Sequence, residues 1–380
     1  MAKKIQIGSF VKQTAGYKAF IPSKFPPDNF ISWNNVLVTL LSKAERAIGK
    51  LDAIDELIPD VDLFILMYAK KEAALSSQIE GTQATFIDYL KEEAKIDDKE
   101  IPSDVDEIKN YIKAMNHGVN RIKSLPLSWR LIREIHIELL KGVRGKHKSP
   151  GEFRKTQNWI GGPTIETAVF VPPPPHEMKS ALDDLEKFFH NHSSIPILIK
   201  AALLHAQFET IHPFLDGNGR IGRLLITFYL IKEGVLTKPL LYLSEFFKKN
   251  RIDYYDKLNF YRKEDGVENW IRFFLEGIRT VSNEAILTAK KITKLKEKDI
   301  ELVSKFGKNS DTALILLKNL FKSPIIDLKL AQKITSIRSK TNISSLIEKF
   351  EKAEILFETS GKQRNKRFEY KDYVKLLERE

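Results

Sequence analysis

Two almost wholly apolar stretches of the sequence enclose a short polar segment that is rich in glycine. The stretches are IPILIKAALLHAQFETI (195–211) and RLLITFYLIKEGVL (223–236), and HPFLDGNGRIGR (212–223) joins them. Helices that are apolar all round are buried, so the pattern predicts two central helices connected by a polar loop. A fold built around two such helices would hold the loop in a rigid, concave site.

The polar segment has the residue types of a phosphate-binding turn. Gly217 and Gly219 let consecutive backbone N–H groups turn inward as an anion nest, and the N-terminus of the second helix adds the positive end of its dipole. Arg220 and Arg223 are three residues apart, so they share one face of the first helical turn and can hold several phosphate oxygens. The segment therefore indicates a polyphosphate site.

Two further residues of the segment suit chemistry beside a polyphosphate. Asp216 offers the hard oxygen ligand that Mg²⁺ prefers, and His212 precedes the nest with a side chain able to accept a proton near neutral pH. For any one of these residues, a satisfied loop with helix caps and salt bridges is the better explanation. The complete set indicates a nucleotide site with a base beside it.

Apolar residues spaced by three and four, typical of amphipathic helices, recur through most of the chain. They predict helices within 33–54, 61–79, 104–122 and 128–143, the last with Ser128 as its N-cap. The proline-rich residues 20–30 indicate an extended arm. In residues 151–171, QNWI and AVFV flank a Gly-Gly-Pro turn, which predicts a β-hairpin in an otherwise mainly α fold.

The pattern changes near residue 308, after a lysine-rich helix. Three short helical patterns and a two-stranded hairpin follow, which is the order of a winged helix-turn-helix. The basic segment GKQRNKR (361–367) suits phosphates, but the candidate recognition helix NISSLIEKF is poor in arginine and carries Glu348. DNA binding, contact with a protein and support of a homodimer all stay open for this module.

Composition excludes several kinds of site. The 380 residues include no cysteine, which excludes disulfides, thiolate metal sites and cysteine nucleophiles. The first residues lack the apolar run of a signal peptide, and no apolar stretch reaches the roughly 20 residues of a membrane span, so we expect a cytoplasmic chain with no membrane partner. The net charge of +12 favours anionic partners, although a lysine-rich surface gives the same number.

The polar segment fits H-x-F-x-[D/E]-G-N-G-R-x-x-R at every fixed position, and through this motif the sequence closely resembles the Fic (fido) family. The resemblance covers nearly the whole chain. It implies a helical fold and transfer of AMP from ATP to a Ser, Thr or Tyr hydroxyl of a target protein or of the chain itself, with release of pyrophosphate.

By position, the resemblance also implies a role for each residue of the motif. The roles are general base for His212, Mg²⁺ ligand for Asp216, the α-phosphate site for Gly217, Asn218 and Gly219, phosphate binding for Arg220, and γ-phosphate binding for Arg223. Relatives that act as kinases carry lysine at the position of Gly219. The glycine therefore favours AMP transfer over phosphorylation.

A second motif, SSQIEG (76–81), ends one of the predicted helices. Ser76 and Glu80 lie one turn apart on one face, and Gly81 suits the position after the helix end. Alone, Glu80 reads equally well as an ordinary surface glutamate. The segment also matches the inhibitory motif [S/T]-x-x-x-E-[G/N] of the family, which implies that Glu80 pairs with Arg223 and keeps it from the γ-phosphate. If Glu80 can orient a water molecule, removal of AMP is also open.

The resemblance assigns residues 151–171 to the family's flap. The exposed main chain of Trp159, Ile160, Gly161 and Gly162 would bind a target segment by strand addition.

The stretch NRIDYYDKL (250–258) resembles the one that shapes the adenine side of the site. Tyr254 and Tyr255 would stack on or bound a purine, but adjacent helical positions point apart, so we expect one of them in the core. Arg262 stands near the place where some relatives carry an adenine-binding asparagine.

The expected organisation has four parts. They are an N-terminal arm with helices (1–105), a Fic core with the flap (106–285), a linker helix (286–308) and a winged helix (309–380). The leading hypothesis is an autoinhibited protein adenylyltransferase that uses ATP and Mg²⁺ on an unidentified target protein. The alternative is a nucleotide-responsive DNA-binding regulator with the Fic core as its sensor. His212 and Asp216 favour the enzyme, because catalysis needs them and sensing does not.

Overall fold

The computed structural model describes residues 6–27, 30–56, 60–95, 101–191 and 194–378. Helices dominate these residues, and the strands are short. The α-helices are α1 (Asn35–Asp52), α2 (Val61–Ile79), α3 (Phe86–Glu93), α4 (Val105–Arg121), α5 (Trp129–Leu139), α6 (Pro175–His190), α7 (Ile197–Ile211), α8 (Asn218–Lys232), α9 (Ser244–Lys249), α10 (Arg251–Tyr261), α11 (Gly266–Ser304), α12 (Ser310–Leu320), α13 (Leu328–Thr335), α14 (Lys340–Lys352) and α15 (Lys371–Glu378). The strands are β1 (Gly8–Lys12), β2 (Lys18–Pro22), β3 (Ile325–Asp327), β4 (Phe357–Glu358) and β5 (Arg367–Glu369). The prediction of a mainly α fold is confirmed.

The centre of the fold is the pair α7 and α8, which the polar loop connects. Almost every residue of both helices is buried, as their apolar sequence predicts. Helices α4, α5, α6, α10 and α11 pack around this pair. Helix α5 begins at the predicted N-cap, where the Ser128 hydroxyl accepts a hydrogen bond from the Leu131 N–H at 3.5 Å.

Helix α2 is also buried, and its C-terminus lies against the start of α8. It packs between α4, α9 and α3. The helix ends at Glu80, and Gly81 follows in the left-handed region with φ of 95°. Glycine adopts that conformation without strain, so the sequence places the helix end at Glu80.

The proline-rich arm is partly a strand. β2 pairs in antiparallel fashion with β1, in a register that places Gly8 opposite Pro22. The Phe20 N–H donates to the Val171 carbonyl at 2.9 Å, and the Tyr17 hydroxyl donates to Gln157 at 3.3 Å. The arm therefore packs on the base of the 151–171 segment.

Residues 151–171 differ from the predicted hairpin. A single antiparallel bridge joins Ile160 and Phe170, and a short 3-10 turn occupies Ile165–Thr167 between them. Gly161 and Gly162 have φ of 68° and 79°. Two consecutive residues in the left-handed region turn the chain away from the partner strand, so the ladder stops after one pair.

The C-terminal module begins after α11, a helix of 39 residues that continues through residue 286 without a break. It contains α12 to α15 and an antiparallel sheet in the order β3-β5-β4. The sheet therefore has three strands, one more than the predicted two-stranded hairpin. The assignment of this module as a winged helix and the division of the chain into four parts remain predictions. Among the described residues, no helix combines the length and hydrophobicity that a bilayer crossing requires.

Candidate active site

The polar loop starts with a change of backbone conformation at His212. The residue follows the end of α7 and has φ of 49°, a left-handed conformation that costs an L-residue roughly 1 kcal/mol. Its N–H still donates to Phe208 at 2.9 Å. The buried Arg154 donates to the carbonyls of Ile211 at 3.2 Å and His212 at 2.9 Å. These bonds cap α7 and hold the strained residue in place.

A second histidine, His136 of α5, supports the middle of the loop. The Gly151 N–H donates to its Nδ1 at 2.8 Å, so Nε2 carries the proton and donates to the Asp216 carbonyl at 2.9 Å. The ring also stacks on Phe214, with centroids 3.9 Å apart. Burial is the main cause that lowers the pKa of His136 to about 4, so the ring is neutral at pH 7.

Asn218 closes the loop on itself. Its amide Nδ2 donates to the Phe214 carbonyl at 2.8 Å, and its Oδ1 accepts from the Phe214 N–H at 2.9 Å. Gly217, with φ of 77°, forms the N-cap of α8. The Asn218 side chain is therefore engaged in shaping the loop, and the backbone N–H groups at the helix start are what this part of the loop offers to an anion.

Arg220 is fully buried, and two carboxylates hold it. Its Nη1 lies 3.3 Å from Glu107 of α4, and its Nη2 lies 3.4 Å from Asp216. Glu107 also accepts a hydrogen bond from the Thr82 hydroxyl at 2.7 Å and pairs with Arg144 at 3.4 Å. Glu107 thus connects the end of α2 to the phosphate-binding motif, a contact that no sequence pattern indicates.

Arg223 contacts both residues of the second motif. Its Nε donates to the Ser76 hydroxyl at 2.8 Å, and its Nη2 donates to the Ser76 carbonyl at 2.9 Å and to Glu80 at 2.8 Å. Burial alone would lower the pKa of Arg223, but the charge of Glu80 raises it above its usual value. A Cβ at Gly219 would overlap the Glu80 carboxylate, so glycine is required for this approach.

A cavity of about 600 Å³ opens beside this ion pair. The structure brings three groups of the predicted residues together in its lining: Glu80, His212, Gly219 and Arg223; Tyr254 and Tyr255 of α10; and Trp159, Ile160 and Gly161 of the flap. Glu209, Asp256 and Asn259 also line the cavity and were not predicted. Asp216, Gly217, Asn218 and Arg220 do not line the cavity.

The two tyrosines of α10 have different environments. Tyr254 is 1% exposed, and its hydroxyl lies 2.9 Å from Nε2 of the buried His205. Tyr255 is partly buried, and the Arg251 guanidinium lies 5.5 Å from its ring centroid. Tyr254 is therefore the core residue of the pair, and Tyr255 is the better placed to contact a base.

Arg262, just after α10, contacts residues of α7, α10 and the flap. It donates to the Thr210 hydroxyl at 3.1 Å and stacks on Phe170, whose centroid lies 3.6 Å away. It also donates to Oδ1 of Asn259 at 3.0 Å. Asn259, one turn before Arg262, is the asparagine that lines the cavity on this side.

The flap residues form one wall of the cavity. Trp159 and Val169 are exposed, at 41% and 67%, and the Trp159 indole N–H donates to the Gly162 carbonyl at 3.3 Å. Gly162 lies just beyond the cavity lining, where a Cβ would overlap the backbone of Thr167.

The donor set suits a Mg²⁺ ion only together with phosphate oxygens. No group of three or more His, Asp and Glu side chains in the described part of the chain forms a metal site. Asp216 is partly exposed, and its Oδ1 accepts from the Gly217 N–H at 2.6 Å. Proteins commonly bind Mg²⁺ through one or two carboxylates plus substrate phosphates, and Asp216 fits that arrangement.

Sequence comparison identifies two family domains. Residues 38–120 match the model described as Fic/DOC family N-terminal, and residues 126–230 match Fic/DOC family. A protein of Aquifex aeolicus named a probable protein adenylyltransferase is 30% identical over 172 residues, which are 40% of this chain and 51% of that protein. The protein adenylyltransferase Fic of Drosophila grimshawi is 30% identical over 225 residues, 56% and 42% respectively. The chain spans about half the length of these relatives.

Solved structures share the fold. A Fic family protein from Desulfovibrio desulfuricans superposes with a TM-score of 0.59 at 18% identity, over 89% of this chain and 97% of that one. A Fic domain containing signaling protein from Bacteroides thetaiotaomicron has a TM-score of 0.52 at 22% identity, over 68% and 96%. With two successive family domains and the Fic fold over most of its length, the chain belongs to the Fic/DOC family.

Proposed function

We propose that the chain is an autoinhibited protein adenylyltransferase, which transfers AMP from ATP to a Ser, Thr or Tyr hydroxyl of a target protein or of itself. One observation carries the proposal: His212 and Arg223 line the same cavity, and the Glu80 carboxylate lies 2.8 Å from Arg223. The names of the relatives from Aquifex aeolicus and Drosophila grimshawi support the type of reaction.

In the proposed reaction, His212 accepts the proton of the target hydroxyl. The oxygen then forms a bond to the α-phosphorus of ATP, and the bond from that phosphorus to the bridging oxygen breaks, so pyrophosphate leaves. Arg223 would bind the γ-phosphate. Arg220, which is fully buried and does not line the cavity, would bind the other phosphates once ATP draws its guanidinium from Glu107 and Asp216. The backbone N–H groups of Gly217 to Gly219, at the N-terminus of α8, would stabilise charge on the α-phosphate.

Asp216 would hold Mg²⁺ beside the phosphates, where the ion neutralises part of their charge. The contact between Asp216 and Arg220 at 3.4 Å keeps the carboxylate next to the motif arginine. Tyr255 and Asn259 would contact the base, because both line the cavity on the α10 side.

Autoinhibition would follow from competition for one guanidinium. The Arg223 side chain is 1% exposed, and its Nε and Nη2 already donate to Ser76 and Glu80, so a γ-phosphate bound to Nη2 would have to displace the Glu80 carboxylate. Glu80 is 30% exposed and can swing into solvent. ATP binding in the productive pose would therefore require the carboxylate to leave.

The flap would present the target segment to His212. Support comes from the position of Trp159, Ile160 and Gly161 in the cavity wall, and from main chain there that a second strand can pair with.

The test is labelling of the full-length chain with α-labelled ATP. We expect Glu80→Gly to label itself at least tenfold more than the wild type, and His212→Ala in the Glu80→Gly background to lose the label. Removing one charged hydrogen bond to a buried arginine is worth about 1.5–3 kcal/mol, which corresponds to that order of effect. γ-labelled ATP should leave no label.

Two matched variants control for charge and for loss of histidine. Glu301→Gln removes a carboxylate from an exposed position of α11, and His176→Ala removes a histidine from the exposed start of α6. Glu301→Gln should label itself as the wild type does, and His176→Ala in the Glu80→Gly background should label itself as Glu80→Gly does. Equal labelling of Glu80→Gly and the wild type would contradict autoinhibition, and absence of label in every variant would contradict the enzyme.

The same preparations test the alternatives. Salt-sensitive binding of duplex DNA without any labelling would support the nucleotide-responsive regulator instead. Loss of AMP from pre-labelled protein in the wild type, but not in Glu80→Gln, would show that Glu80 also supports removal of AMP.

A further inference from the structure

A buried carboxylate lies directly behind His212. Glu209 occupies the last turn of α7, three residues before the histidine, and is 6% exposed. Its Oε2 lies 3.6 Å from Nδ1 of His212. Among the described residues, neither His212 Nδ1 nor Glu209 Oε1 has a hydrogen-bond partner. The two polar groups are therefore buried side by side, within a small movement of a hydrogen bond.

The neighbouring helix makes room for this carboxylate. Gly222 of α8 faces Glu209, and a Cβ at that position would overlap Oε1. Gly222 falls at one of the variable positions of H-x-F-x-[D/E]-G-N-G-R-x-x-R, so phosphate binding does not account for it. The contact with Glu209 does account for it.

We infer that Glu209 is a positioning residue, which holds the Nδ1–H of His212 so that Nε2 faces the cavity as the proton acceptor. This inference rests on the proposed AMP transfer. The roles of the ring atoms follow from the geometry, because a ring that donates from Nδ1 to a carboxylate has its lone pair on Nε2. A carboxylate that accepts a hydrogen bond from Nδ1–H commonly sets the tautomer and the orientation of a catalytic histidine in this way.

The charges around Glu209 keep it ionised. Burial favours its protonated form, but the adjacent His212 ring and nearby positive charges lower the pKa of Glu209 below its usual value. In the described part of the chain, the titratable side chains near it come from α7, the loop, α8, α10 and the residue after α10: His205, His212, Arg223, Tyr254, Tyr255 and Arg262.

Of these neighbours, His205 is held neutral, because burial lowers its pKa and Gly222 and Tyr254 occupy its two nitrogens at 2.9 Å each. Arg262 donates to the Glu209 backbone carbonyl at 3.3 Å, and Arg223 is paired with Glu80. His212 is the neighbour whose proton changes during the reaction.

His212 and Glu209 account for every proton that moves in the proposed step. The target oxygen gives its proton to Nε2 of His212 as its bond to the α-phosphorus forms, and pyrophosphate leaves with the electron pair of the broken bond. The ring then carries protons on both nitrogens, and the ionised Glu209 stabilises that positive charge. Glu209 itself does not change protonation.

The kinetic test uses the Glu80→Gly background and α-labelled ATP between pH 5.5 and 9. We expect Glu209→Gln to lower kcat about 10- to 100-fold with the KM for ATP within about twofold, and to move the acid limb of the profile down by about one pH unit. Glu209→Asp, which keeps the charge, should return the limb toward its original position. A merely structural role would lower kcat equally at every pH and leave the limb in place, which would overturn the inference.

A second measurement does not depend on activity. In protein labelled with ¹⁵N-histidine, the His212 signals are assigned by their loss in His212→Ala. We expect the ring to be protonated at Nδ1 at pH 8, and Glu209→Leu to shift it to the Nε2–H form that prevails in water. An unchanged tautomer in Glu209→Leu would contradict the pairing. Absence of label in Glu80→Gly with the expected tautomer change would instead contradict the proposed transfer while retaining the pairing.

Discussion

Glu80 and Arg223 are 143 positions apart in sequence, and their side chains differ in how deeply they are buried. The guanidinium is 1% exposed, whereas the carboxylate is 30% exposed. Ser76 holds the arginine through its hydroxyl and its carbonyl, so the arginine stays in place when the glutamate moves. Under the proposed autoinhibition, release would therefore require a movement of the Glu80 side chain and no rearrangement of Arg223.

His136 is a residue whose importance appears only in the structure. We expect His136→Leu, in the Glu80→Gly background, to lower AMP transfer about tenfold, because leucine fills the space but cannot bond Gly151 and the Asp216 carbonyl. The loop between α7 and α8 would then lose its support. Transfer of labelled AMP is the measurement.

The matched control for this prediction is His176→Leu, at an exposed position of α6. Circular dichroism would verify that both variants are folded. Activity of His136→Leu equal to that of the control would show that the loop does not depend on this histidine.

Some residues of the candidate site can be predicted from the sequence, and others are found only in the structure. His212 to Arg223 form one contiguous motif, so their proximity is a property of the sequence. His136, Glu107 and Asn259 come from three different helices, and only packing brings them to the motif. Glu209 lies one helical turn before His212, so the sequence predicts its proximity but not its burial. A single buried carboxylate or histidine on an amphipathic helix has no local signature, which is why these residues escape sequence analysis.

Helix α2 carries polar side chains along one line toward the active site. Glu72, Ser76 and Glu80 are spaced by four residues, and the first is fully buried. Glu72 accepts hydrogen bonds from the hydroxyls of Ser244 at 2.5 Å and Tyr111 at 3.0 Å. Burial raises the pKa of Glu72 to about 7, against the lowering effects of Ser244, the charge of Arg223 and Tyr111.

This pKa gives a prediction for the pH dependence of stability. Between its usual value of 4.5 and about 7, the unfolded chain releases the Glu72 proton while the native protein keeps it. The free energy of unfolding attributable to Glu72 therefore falls as pH rises through that window, by roughly 3 kcal/mol, and is level above it.

The measurement is urea unfolding at several pH values, for the wild type and Glu72→Gln. The difference between the two curves should change between pH 4.5 and 7 and be constant above pH 7. A constant difference across the whole range would show that Glu72 titrates at its ordinary pH.

Among the elements, the long periodic helices are predictable and the irregular segments are not. The apolar patterns of α2, α4, α5, α7 and α8 fix both their type and their buried faces. The predicted hairpin in the flap does not form a full ladder, because Gly161 and Gly162 adopt left-handed conformations. The residue pattern of QNWI and AVFV does not indicate those conformations. Strand β3 is only three residues long, too short for a period-two pattern.

Over the whole molecule, the C-terminal module contacts the helix that carries the inhibitory motif. Lys70 of α2 donates to the Lys322 carbonyl, just beyond α12, at 3.3 Å and pairs with Glu93 at 2.6 Å. Helix α15 also packs on α2 and on α11. The module and the Glu80 side chain are therefore joined through a single rigid helix.

We expect Lys70→Met to weaken this connection, because methionine keeps the packing but removes the Lys70 ammonium that donates to Glu93 and to the Lys322 carbonyl. The variant should lower the free energy of unfolding by about 1–3 kcal/mol and raise basal self-labelling less than Glu80→Gly does. Thermal unfolding and α-labelled ATP measure the two effects. Lys113→Met, at an exposed position of α4, is the control. Equal labelling in the two variants would show that the C-terminal module does not affect the proposed inhibition.

The absence of a side chain at residue 219 has a consequence for how such a protein can change over time. The inhibitory carboxylate occupies the space that any Cβ there would take. A substitution at this position that altered which part of the nucleotide is transferred would also expel Glu80. Under the proposed function, a change at residue 219 would therefore affect both the group that is transferred and the control of the basal rate.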